Sequence, residues 1–84
     1  MLTETDRGIL KCLDEFTRFA TKDVAERVVI TRADKRANSA LVRQRLIGLQ
    51  LDGLVQSFAD RKPMSWIRTA RGTAALAIGG QEQI

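Results

Sequence analysis

Apolar residues recur along the chain with two different periods, and the change of period divides it into elements. Ile9, Leu10, Leu13 and Phe16 follow a polar start at helical spacing, and Thr3-Glu-Thr-Asp6 supplies a capping-box-like beginning with acids in the first turn. This pattern predicts a helix near residues 4 to 17. Phe19 and Ala20 make a brief extended step. Thr21 then caps a second helix with Val24, Ala25 and Val28 on its apolar face, ending near Val29 where consecutive β-branched residues weaken helix propensity.

The longest periodic stretch runs from Asn38 to Asp52. Val42, Leu46 and Leu49 form its apolar stripe, Leu41 and Leu51 flank it, and Arg43, Gln44 and Ile47 point away. The preceding "TRADKRA" either extends this helix or forms a basic turn before it. Thr31-Arg-Ala-Asp34, Asn38 and Ser39 all offer caps. Gly53 ends the helix.

Beyond Gly53 the period shortens. Leu54 to Phe58 and Met64 to Ile67 are too short for helices and rich in β-branched and aromatic residues, while Asp60-Arg-Lys-Pro63 has the residues of a turn. The two runs therefore predict a hairpin with a cationic tip and Trp66 in the core beneath it. Thr69 caps a short last helix carrying Ala70, Ala74, Leu76 and Ala77, and Gly79-Gly80 releases a polar tail, so that residues 1–78 form the domain and 79–84 the tail.

With 84 residues there is room for one modest core but not for a deep catalytic cleft. Charge is uneven: residues 1–31 carry five basic and six acidic side chains, residues 32–84 nine basic and four acidic. A near-neutral half joined to a cationic one suits a polyanion-binding domain; a solvated basic surface is the plainer reading. There is no His, and the lone Cys12 and scattered carboxylates make no metal-ligand or nucleophile constellation; nor is there a phosphate-binding glycine loop. No enzyme activity and no cofactor are expected. The single Cys and the lack of a leader-like or membrane-spanning run fit a cytoplasmic protein without membrane contact.

The order helix, short strand, helix, helix, hairpin, short helix is that of an α+β winged helix-turn-helix domain. "LIGLQLDGLVQS" followed by "WIRTARG" resembles the recognition-helix exit and wing of winged-helix transcription regulators related to the MarR and PadR families, and the short chain is then expected to be a regulator of the compact kind common in bacteria and their phages. The resemblance spans residues 5 to 77 in element order, and its sequence-specific part is residues 46 to 72. Two features depart from it: Arg68 stands where an aliphatic residue is usual, and "ITRADKRANS" lengthens the segment before the recognition helix. The long flanking helices through which those regulators dimerise have no counterpart, so a homodimer would need another surface.

The resemblance implies binding of double-stranded DNA and transcription regulation, with the recognition helix in the major groove and the basic wing on the adjacent backbone or minor groove. Arg43 and Gln44 are then the first candidates for base contacts, assisted by Asn38 and Ser39. Arg32, Lys35, Arg36, Arg61 and Lys62 are placed for phosphates. Arg43 and Arg45 also have a plainer role, solvating the helix and pairing with Asp52 or Glu26. The alternative function is a winged-helix module that docks a protein through apolar anchors such as Ile47.

Overall fold

The computed structural model describes residues 2–60 and 64–81, the last three by backbone path alone. Its elements are α1 (Glu4–Cys12), β1 (Phe19–Ala20), α2 (Thr21–Arg27), α3 (Lys35–Leu51), β2 (Val55–Phe58), β3 (Ser65–Arg68) and α4 (Ala70–Gln81). The strands form one antiparallel sheet in the order β1-β3-β2, with Phe19 opposite Trp66 and Ser57 opposite Trp66 from the other side. The fold is thus a small α+β domain of four helices and a three-stranded sheet.

The first three helices contribute their apolar stripes to one core, Ile9 and Leu10 from α1, Val24 and Ala25 from α2, Val42, Leu46 and Leu49 from α3, and α4 packs partly buried Ala75 and Leu76 against it. Leu54, Val55 and Trp66 bring the sheet against them. The indole N–H of Trp66, which would be costly to bury unpaired, donates to Thr21 Oγ1 at 2.9 Å. Thr21 is therefore the first residue of α2 and a tether to the sheet, while Asp23 accepts from the Ala20 amide and starts the helix.

Helix α1 is shorter than its apolar spacing predicts. It stops at Cys12, with Leu13 extended, because the next residues are taken up by the end of the hairpin. The Arg68 amide donates to the Asp14 carbonyl (2.9 Å), and the Arg68 guanidinium donates to the carbonyl of Leu10 (2.8 Å), one of the helix's open C-terminal acceptors. Its Nε donates to Thr73 Oγ1, which in turn donates to Glu15. Arg68 thus joins α1, β3 and α4. Phe16, expected on the helical core face, is left 91% exposed.

Gly53-Leu54 at the exit of α3 and Thr69 to Gly72 at the start of α4 form a lock. Gly53 takes a positive φ of 77° and turns the chain out of α3. Its carbonyl accepts from Thr69 Oγ1 at 2.8 Å, and the Thr69 amide donates to the Leu54 carbonyl at 3.0 Å. Thr69 Oγ1 also accepts from the Gly72 amide, capping α4. Gly72 lies so close to Leu54 that a Cβ there would meet its carbonyl oxygen at 2.3 Å. Helix α4 then continues through Gly79 and Gly80 to Gln81, so the tail expected from residue 79 is helical at its start; residues 82–84 lie outside the described residues.

Candidate functional site

Helix α3 and the loop before it carry the candidate site. Asp34 is the cap, its carboxylate accepting from the Ala37 amide at 2.7 Å, so "TRADKRA" is divided between a loop and the first turn of the helix. Seven residues, Val28 to Asp34, separate α2 from α3. A loop of this length needs internal partners for its backbone, and Asn38 supplies them.

Asn38 is buried, contrary to the expectation that it faces a ligand. Its Oδ1 accepts from the amides of Ile30 (2.6 Å) and Thr31 (3.1 Å), and its Nδ2 donates to the carbonyls of Ala25 (2.9 Å) and Val28 (3.1 Å). Two acceptor and two donor positions are the whole capacity of an amide side chain. Asn38 closes the end of α2 and holds the long loop against α3, which leaves it nothing to offer a base.

The remaining candidates divide by location. Arg32, Lys35 and Arg36 are exposed at the start of α3 and in the loop before it, and Arg43 and Gln44 are exposed at mid-helix. At 100° per residue, Arg36, Ala40, Arg43, Ile47 and Gln50 form one outward stripe. Every one of them is exposed. Ser39 is half-buried beside it and lines, with Lys22, Arg32 and Lys35, a groove of about 520 Å³ between α2 and the start of α3. Gln44 turns to the other flank, where it lines a smaller depression with Thr3, Thr5 and Leu41. Arg43 and Gln44 thus face different sides. Arg61 and Lys62 lie outside the described residues.

Helix α3 contains four basic residues and no acid. One of the four is neutralised: Arg45 grips Asp6 of α1 through Nε at 2.8 Å and Nη2 at 2.7 Å. The Asp6 side chain is only 3% exposed and also accepts from the Thr3 amide, whereas Arg45 remains 47% exposed. The partners suggested by sequence, Asp52 and Glu26, are not the ones used. Lys35, Arg36 and Arg43 keep their charge at the surface with no acid from α3 beside them.

Apolar surface is exposed further along the same helix, with Ile47 at 45% and Leu51 at 83%. A second arginine–carboxylate pair lies beside the sheet. Arg18, just before β1, reaches across β3 to Asp60 and stacks its guanidinium 3.9 Å above the centroid of the Phe58 ring. Arg18 carries no signal in the sequence, and Arg68 stands out there only as a departure from the usual aliphatic residue; the bonds each makes join residues more than 40 positions apart, Arg18 to Asp60 and Arg68 to Leu10.

Among the described residues no helix is long and apolar enough to cross a membrane, and no group of three His, Cys, Asp or Glu side chains could hold a metal ion. Comparison of the chain with protein families, curated proteins and solved structures finds no match. The functional reading therefore rests on this chain's own geometry and charge.

Proposed function

We propose that the chain is a winged helix-turn-helix domain that binds duplex DNA and regulates transcription. In this reading α2 and α3 form the helix-turn-helix with a long turn, α3 enters the major groove, and the β2–β3 hairpin is the wing against the backbone or minor groove. The observation that carries it is the outward stripe of α3: a helix with no acid, whose one inward-leaning Arg is neutralised by Asp6 while Arg36 and Arg43 are left facing solvent. Such a face attracts a polyanion, and Arg43 lies at the centre of the outward stripe that would face the groove floor. Lys35, Arg36 and Arg32 are assigned to phosphates, Arg43 to a base, and Gln44 and Ser39 to the flanks of the contact.

The test is an electrophoretic shift with random duplex at two salt concentrations. Binding that weakens steeply with salt, the logarithm of affinity falling about 0.9 per phosphate contact, supports the reading. Salt-independent behaviour with no shift overturns it. Exposed Ile47 and Leu51 favour a second reading, a protein-docking winged helix, in which affinity for a partner would depend on these apolar anchors and little on salt.

A further inference from the structure

The contact between Arg18 and Asp60 has features that an incidental surface ion pair lacks. One nitrogen, Nη1, donates to both carboxylate oxygens of Asp60, at 3.0 and 3.1 Å. The guanidinium carbon lies over the Phe58 ring, 3.9 Å from its centroid, a cation–π contact that does not involve the carboxylate. Both partners are open to water, Arg18 at 47% and Asp60 at 58% side-chain exposure.

A guanidinium donates charge-assisted N–H bonds to carboxylate and phosphate oxygens alike, and here Nη1 alone serves both oxygens of Asp60. An exposed carboxylate held this way is a weak, exchangeable occupant, because such pairs contribute little in water. We propose that Arg18 is a phosphate-binding residue of the DNA surface, lying over the Phe58 ring and occupied in the free protein by Asp60 as an internal competitor. This rests on the DNA-binding reading above and extends the contact surface from the wing to the loop before β1. When the hairpin meets the backbone, a phosphate oxygen replaces Asp60 on Arg18. The Asp60 carboxylate then returns to water, and the cost of its displacement limits the affinity of the intact protein for any duplex.

The test is a double-mutant cycle on the full chain, read as affinity for a random duplex over a range of salt. Asp60→Asn should tighten binding about five-fold and steepen the salt dependence by about one phosphate contact. In an Arg18→Ala background the same Asp60→Asn change should give less than about a two-fold gain, because no guanidinium is left to release. Equal gains in both backgrounds would overturn the proposal and make Asp60 a simple repulsive charge. If the parent binds no duplex at any salt, the DNA reading fails and this proposal with it. Circular dichroism melting of each variant guards the cycle: both side chains are exposed, so all four proteins should melt alike, and a variant that does not is replaced by Arg18→Gln or Asp60→Ser at the same corner.

Discussion

Asn38 Nδ2 donates to the carbonyl of Ala25 at 2.9 Å, joining the last turn of α2 to the first turn of α3 across a seven-residue loop. With its three companion bonds this contact fixes the angle at which α3 is presented, so the geometry of the exposed stripe depends on a buried amide.

Asn38→Ala should destabilise the domain by about 2–3 kcal/mol, since it leaves several backbone groups without partners at once. Asn38→Asp should not restore stability: it keeps the two acceptor bonds but sets a carboxylate against the Ala25 and Val28 carbonyls. Urea denaturation measures both. A variant as stable as the parent would show that the loop holds itself.

Arg45→Ala should cost about 1–3 kcal/mol, below the usual figure for breaking a buried pair because Arg45 itself is half in water. The loss comes from stranding the Asp6 carboxylate, so the double change Asp6→Asn with Arg45→Met should recover much of it. Thermal unfolding of Arg45→Ala, together with the parent, Asp6→Asn, Arg45→Met and the double variant, tests this; an additive outcome would mean the two residues do not act as a pair.

Two glycines should respond in opposite senses. At Gly72 a Cβ would lie 2.3 Å from the Leu54 carbonyl oxygen, and backbone must move, so Gly72→Ala should destabilise by about 1–3 kcal/mol. At Gly48 nothing lies within 4 Å of the added carbon. Gly48→Ala in the middle of α3 should stabilise by about 0.5–1 kcal/mol. Paired melting curves compare them, and a Gly72→Ala protein melting at or above the parent temperature would contradict the lock between α4 and the exit of α3.

If α3 reads DNA, Arg43→Ala should lose about 1–3 kcal/mol on a selected high-affinity site while binding random duplex nearly as well as the parent. Arg36→Ala should weaken both kinds of duplex similarly, as a phosphate contact does. Titration of each variant against the two duplexes reads the difference. Equal losses for Arg43→Ala on both would reassign it to the backbone.

The elements that depend on neighbours in the sequence were readable there. The stripe of Val42, Leu46 and Leu49, the turn at Gly53, the two runs of the hairpin and the cap at Thr69 all follow from local periodicity, backbone freedom and hydrogen bonding to residues three or four away. What the tertiary structure alone decided is the fate of the polar side chains. Arg68 draws the Leu10 and Asp14 carbonyls to the hairpin and ends α1 early, which sends Phe16 into water. Asn38 lies inward, Arg45 finds Asp6 across 39 positions, and Arg18 finds Asp60 across 42. An apolar side chain is satisfied by any well-packed interior, so its spacing places it wherever the element itself forms, and Phe16 escapes the rule because α1 ends at Cys12 before reaching it. A charged or amide group is satisfied only by particular atoms at a particular distance, and those atoms come together only when the chain has folded.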